Sequence, residues 1–324
     1  MRKRRTREFA AVLVAVALFV AAFGYLVVAP DALVRMQFTR QLYAAGLHKH
    51  EREVAGHRWV YAEREARAAD APTLVLVHGF TGSKENWFPL AKAFDGRYRL
   101  VIPDLPGWGE SERLPREDYG FLAQSERLAA FIHSVSPDRP VVLVGHSMGG
   151  GIAAMVAAGY PQRVSRVALL DAAGVRFRDN RFGEEVLAGR NPFAVTDADS
   201  LDRYLDTVFH RDDAKPWIPW PADRAYIAMR IRDAGFEQRV LDAIGRSDER
   251  FLPGNEAARI RQPALLLWCR QDAVIDPSAL ALYAAQMPQA TGVMLDDCGH
   301  MSLMERPVDV AAAIELLIAR GQPR

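Results

Sequence analysis

The chain has 324 residues, half of them hydrophobic and a quarter charged, which is ordinary globular usage and excludes disorder, collagen and coiled coil as the main architecture. The formal net charge is +1, but residues 1–8 hold net +4, leaving a slightly acidic body at −3, the wrong sign for a nucleic-acid face. Two cysteines cannot build a disulfide framework and are too few for a cysteine-ligated zinc site.

Arg2, Lys3, Arg4, Arg5 and Arg7 form a basic N-terminus over residues 1–8. Phe9 to Ala29 follows without a charge. As a helix it would span about 31 Å, the thickness of a bilayer core. The run exceeds the usual apolar region of a cleaved signal peptide. It is therefore read as an uncleaved transmembrane anchor over 9–29, with cleavage as the competing reading. The basic residues precede the span, so the N-terminus stays cytoplasmic and the body lies on the extracytoplasmic side of the cell membrane. Residues 30–52 are read as a linker, and 53–324 as the folded domain.

Thr73–Val77, Arg99–Ile102, Val141–Val144, Val167–Leu170, Ala264–Trp268 and Val293–Leu295 are short apolar runs. Continuous rather than alternating runs fit strands buried on both faces of a parallel sheet. Helical patterns fall between them, at Phe121–Val135, Gly150–Ala158, Ser278–Gln286 and Val308–Ala319. The alternation predicts an α/β fold, a doubly wound, mostly parallel sheet. Gly174 to Arg261 contains no strong strand and carries Phe177, Phe182, Phe193, Phe209, Trp217 and Trp220. It is read as a helical cap insertion over about 174–261. Its aromatics either bind an acyl chain or form the cap's own core.

Gly145-His-Ser-Met-Gly149 follows one of these strands and opens a helix. That context makes it a nucleophile elbow with Ser147 at its tip. A serine hydroxyl needs a base held by a third group. Asp272 and His300 follow later strand ends, in the order serine, acid, histidine. Asp171 is the rival acid. The backbone N–H groups of Met148 and Phe80, the latter in His78-Gly-Phe80, would stabilise an oxyanion. His78 is read as a brace for that loop. Trp108 is read first as a packing residue and second as a substrate contact, beside Phe193 and Trp217. Cys269 and Cys298 are expected to be separate buried thiols, with a disulfide as the alternative in an oxidising compartment.

Taken together, His78-Gly-Phe80, Asp104-Leu-Pro-Gly-Trp-Gly-Glu-Ser111, Gly145-His-Ser-Met-Gly-Gly150, the Asp272 strand end and Cys298-Gly-His300 resemble the landmarks of the α/β-hydrolase superfamily, from about residue 53 to the end. His78-Gly-Phe-Thr-Gly-Ser-Lys-Glu-Asn-Trp87, and Leu170-Asp-Ala-Ala-Gly174 with Asn191-Pro-Phe193, are similar to bacterial lipase/esterases of the monoacylglycerol-lipase-like group, some of which carry an N-terminal anchor. Cys269 departs from that pattern, where glycine commonly follows the tryptophan. The resemblance implies a serine hydrolase acting on lipid or small-molecule carboxylic esters, monoacylglycerols among them, with no cofactor and no metal. A carbon–carbon bond hydrolase of aromatic ring-cleavage products is the alternative on the same fold and triad. A cofactor-free haloperoxidase-like activity comes third. A non-catalytic binding protein on the same scaffold is disfavoured by the intact set of residues.

Overall fold

The computed structural model describes residues 8, 12–14, 16, 24 and 31–320. The expected span 9–29 lies almost wholly outside the described residues. Among the described residues no helix is long and apolar enough to cross a membrane.

Eight strands form one sheet: β1 His48–Val54, β2 His57–Arg64, β3 Thr73–Val77, β4 Arg99–Pro103, β5 Val141–His146, β6 Val164–Leu170, β7 Ala264–Cys269 and β8 Thr291–Leu295. Their order is β1-β2-β4-β3-β5-β6-β7-β8. From β4 to β8 every pairing is parallel, whereas β1–β2 and β2–β4 are antiparallel. In β5, Val141 and Leu143 enter the core on one face while Val142 and Val144 enter the core on the other. Alternate side chains point to opposite faces, so helices on both sides leave no position for a polar residue. The chain reverses direction of winding at β3, with β4 on one side and β5 on the other. Such a switch point leaves a crevice at the carboxyl ends of the strands.

Two N-terminal features depart from the sequence reading. The expected linker 30–52 holds a helix, Asp31–Ala44, and most of β1. That helix contacts the helix Ala222–Arg246, and its Leu42 and the following Ala45 and Leu47 are buried. β1 reads His-Lys-His-Glu-Arg-Glu-Val and is exposed along nearly its whole length. A charged edge strand protects a sheet from pairing with other chains, and it carries no apolar signal.

Between β6 and β7 lie only helices and loops. Arg181–Leu187, Ala198–Val208 and Ala222–Arg246 build the cap, whereas Leu252–Ala257 packs on the helix Met148–Gly159 of the body.

Candidate active site

Ser147 sits between β5 and the helix Met148–Gly159, at φ 55° and ψ −121°. A non-glycine residue in so sparse a region costs on the order of 1–3 kcal/mol, which the surroundings must offset. They do so with hydrogen bonds on both sides. The Ser147 N–H donates to the Leu170 carbonyl at 3.0 Å, and the Ser147 carbonyl accepts from Gly150 at 2.9 Å and Ala173 at 3.0 Å. The flanking glycines permit the crossing. A Cβ on Gly145 would lie 2.1 Å from the Gly149 carbonyl oxygen, and one on Gly149 would lie 2.3 Å from the His78 oxygen. Any side chain at either position would push the helix off the sheet.

His300 and Asp272 come from the loops after β8 and β7. His300 Nδ1 lies 2.9 Å from Asp272 Oδ2. The other Asp272 oxygen accepts the Val274 and Ile275 N–H groups at 2.8 and 3.0 Å. The carboxylate accepts the Nδ1 hydrogen, so Nε2 keeps its lone pair for another proton. Burial pushes the His300 imidazole down to about 3, favouring the neutral ring. Burial also raises Asp272 well above the ordinary carboxyl range, against the two backbone N–H bonds that lower it.

Asp171, the rival acid, has φ 47° at the end of β6. It accepts the Cys269 N–H at 2.9 Å and the Ser302 hydroxyl. It thus ties the end of β7 to the helix after the histidine loop. Burial, and then the neighbouring Asp272 charge, raise its carboxyl well above the usual range.

The loop after β3 faces Ser147. His78 is buried, its Nδ1–H donating to the Gly79 carbonyl at 2.8 Å and its Nε2 accepting the Leu105 N–H at 3.0 Å. With both nitrogens engaged, and burial holding its pKa down to about 4, it braces the loop. A Cβ on Gly79 would lie 2.9 Å from the Ser147 Cβ, so the loop passes as close as a backbone can. Met148 begins the elbow helix, where the first N–H groups have no partner within the helix. Below the loop, Lys84 Nζ meets Asp104 and Glu110 at 2.8 Å each and Glu85 at 2.9 Å. Burial opposes the Lys84 charge, but Asp104 and Glu85 outweigh it and raise its pKa. This cluster explains why Asp104-Leu-Pro-Gly-Trp-Gly-Glu-Ser111 reads as a motif: it locks two loops together.

Ser147 and His300 open into one narrow cleft, whose walls include Phe80, Phe193, Val208 and Met301. Of the three aromatic residues expected at the substrate, Phe193 alone lines this cleft. Trp108 packs edge-on behind Phe80 at 5.2 Å and against Phe236 at 5.0 Å. Trp217 is a correction: it is 87% exposed and lies outside the cleft walls. The prolines around it, in Pro216-Trp-Ile-Pro219, keep that segment out of a helix and on the surface.

The cysteines are a second correction. Cys269 and Cys298 form a disulfide, with Cα atoms 5.3 Å apart. Cys269 pairs in register with Leu295 across β7 and β8, so the ends of neighbouring strands bring the two thiols within bonding reach. The bridge stands three residues before Asp272 and two before His300.

Glu305 escaped the sequence reading altogether. It is buried and accepts N–H bonds from Gly299 at 2.8 Å, His210 at 3.0 Å and Arg211 at 2.8 Å. It joins the histidine loop to the end of the cap helix Ala198–Val208. A lone glutamate five residues after a histidine has no pattern that could have marked it.

A family model described as alpha/beta hydrolase fold matches residues 72–307. Lipase 3 of Moraxella sp. (strain TA144) is 30% identical over 260 residues, covering 79% of this chain and 80% of its own length. Monoacylglycerol lipase ABHD6 of Rattus norvegicus is 25% identical over 305 residues, 91% of this chain and 88% of that one. The crystal structure of a membrane phospholipase A superposes with a TM-score of 0.83 at 32% identity, covering 95% of this chain and 97% of its own.

Proposed function

The chain belongs to the alpha/beta hydrolase fold family and is a carboxylic ester hydrolase, and we propose that it cleaves esters with an apolar acyl group, monoacylglycerols among them, from a membrane-anchored position. The observation that carries the reading is the line of three side chains. Ser147 stands at the strained tip, His300 shares its cleft, and Asp272 holds the far nitrogen of that histidine at 2.9 Å.

In the proposed mechanism Ser147 Oγ attacks the ester carbonyl carbon as its proton passes to His300 Nε2. Burial opposes the cationic ring, while the nearby Glu305 charge favours it and Asp272 accepts its Nδ1 hydrogen. The Phe80 and Met148 N–H groups receive the oxyanion. His300 then returns the proton to the departing alkoxide, leaving an acyl-serine. Water, deprotonated by the same histidine, attacks the acyl carbon and releases the acid and free Ser147. Phe193, Val208 and Met301 supply an apolar wall for the acyl chain.

The anchor over 9–29 and the extracytoplasmic placement of residues 53–324 belong to the same proposal. The uncharged 21-residue run after a net +4 terminus supports it. The Cys269–Cys298 bridge supports it independently, because structural disulfides persist in oxidising compartments.

Ser147→Ala decides the chemistry. The variant should lose fluorophosphonate labelling and all turnover on p-nitrophenyl esters of two to sixteen carbons, with an unchanged circular dichroism spectrum. Labelling that persists at another residue would remove Ser147 from the mechanism. A ring-fission dienoate cleaved faster than any ester would replace the substrate class.

A further inference from the structure

We propose that the hydroxyls of Thr81 and Tyr204 form a subsite for the free hydroxyls of a polyol leaving group, of which the glycerol of a monoacylglycerol is the simplest case. The proposal rests on the ester-hydrolase reading above and assigns the alcohol side of the same cleft.

Thr81 follows Phe80 directly and has φ 57°. A β-branched residue in the left-handed region is an outlier that glycine would relieve. Its neighbour is a glycine, and the turn closes through the Gly82 N–H to the Gly79 carbonyl at 3.1 Å. A threonine held in that conformation, one residue from the proposed oxyanion donor, presents its hydroxyl to the cleft. There Oγ1 lies 3.2 Å from the hydroxyl of Tyr204, which comes from the cap helix Ala198–Val208. Body and cap thus meet across the cleft through two hydroxyls.

Tyr204 is fixed from behind. The guanidinium of Arg230 stands 4.8 Å from its ring centre, and Phe193 meets the ring edge-on at 5.6 Å. Arg230 is itself buried, paired with Glu237 at 2.8 Å and donating to the Phe193 carbonyl at 2.7 Å. One buried cation therefore sets both the tyrosine and the apolar wall beside it.

The other polar side chains of the cleft wall are engaged elsewhere. The Asn86 amide oxygen accepts the Ser83 N–H at 2.9 Å, and His146 Nε2 donates to the His300 carbonyl at 2.7 Å. Ser147 and His300 belong to the reacting centre. Two hydroxyls bonded to each other use one hydrogen and one lone pair, leaving a second O–H to donate and further lone pairs to accept. A vicinal diol offers the matching donor and acceptor. A methyl ester offers neither. A contact to a non-reacting part of the substrate raises kcat/KM for that substrate alone.

The test compares 1-decanoylglycerol with methyl decanoate, using the full chain in detergent. The readout is the ratio of kcat/KM for the two esters. Tyr204→Phe keeps the ring on Arg230 and deletes one oxygen, so it should lower the ratio about 3–10-fold, the worth of one neutral hydrogen bond. Thr81→Gly, which accepts the backbone conformation, should do the same, and Thr81→Ser should restore the wild-type ratio. A ratio unchanged in both Tyr204→Phe and Thr81→Gly, whether the two activities hold or fall together, overturns the subsite. If wild type hydrolyses methyl decanoate but shows no preference for the glycerol ester, the subsite fails and the ester-hydrolase reading stands. If wild type hydrolyses neither ester, both fail.

Discussion

The rim of the sheet and the cap hold their side chains by different means. On the rim, Ser147, Asp272 and His300 are at most 7% exposed, and the first two are fixed by backbone groups. Ser147 is pinned by four of its neighbours' peptide groups, Asp272 by two N–H groups, and the His300 loop by Glu305 and a covalent bridge. In the cap, Phe193 and Tyr204 are placed by other side chains, chiefly Arg230, while Leu187, Trp217 and Ile231 face outward. Peptide groups are common to every residue type, so a rim built from them tolerates change around it. A wall built from side chains changes shape with each substitution.

The sharpest way to break this comparison is at the two buried aspartates. Asp272→Asn leaves the shape intact but removes the charge that orients His300. Turnover near neutral pH should fall about 10⁴-fold, as in the serine-protease precedent. Asp171→Asn disturbs only the brace from Cys269 to Ser302, and should cost far less, roughly 10–100-fold by analogy with the residues behind metal ligands. Steady-state kcat for both variants, with circular dichroism to establish folding, gives the ranking. The reverse order would make Asp171 the acid.

A second test lies on the covalent part of the rim. The disulfide closes a loop with a sequence separation of 29. Chain-entropy arguments assign a loop of that length roughly 3–4 kcal/mol. Cys269→Ser with Cys298→Ser should lower the melting temperature by on the order of 10 °C. Since the bridge stands between the loops of Asp272 and His300, kcat should fall as well, while KM for a short ester changes little. A melting temperature equal to wild type would mean that the bridge does not restrain the folded rim. A larger change in KM than in kcat would place its effect in the cap.

The sequence exposed what is set by local necessity. Ser147 stands on a crossing too tight for a Cβ, which demands glycines at 145 and 149, and the buried strand before it favours the apolar run Val141 to Val144. The placement of Asp272 and His300 after later strand ends follows from the same winding. Geometry made by distant residues left no such trace. Glu305 acts through backbone groups of residues 210, 211 and 299, which no spacing rule connects. Cys269 and Cys298 look like two buried thiols until β7 and β8 are known to be neighbours with their ends in register. β1 is a strand because β2 pairs with it, not because its residues alternate. The cap's aromatics looked equivalent in the sequence, yet one of them lines the cleft and another faces outward.

That last contrast makes the smallest prediction the most discriminating for the cap. Phe193 is 5% exposed, lines the cleft, and packs 5.7 Å from Phe80 and 4.7 Å from Phe182. Phe193→Ala removes part of the apolar wall, so kcat/KM for long acyl esters should fall several-fold more than for the acetyl ester. Trp217 belongs to the same insertion and is the larger ring, but at 87% exposure it has little contact to lose. A surface substitution away from any cap, core or network changes stability by no more than about 0.5 kcal/mol. Trp217→Ala should therefore leave the melting temperature within about 2 °C of wild type. Its profile across monomeric p-nitrophenyl esters of two to ten carbons should superimpose on that of wild type. If instead Trp217→Ala shifts the chain-length optimum on monomeric substrates, the segment around Pro216 and Pro219 folds inward during turnover, and the outer cap takes part in choosing the acyl chain. If Phe193→Ala lowers every ester equally, the inner wall serves the placement of the Phe80 loop, and selection must reside in Val208 and Met301.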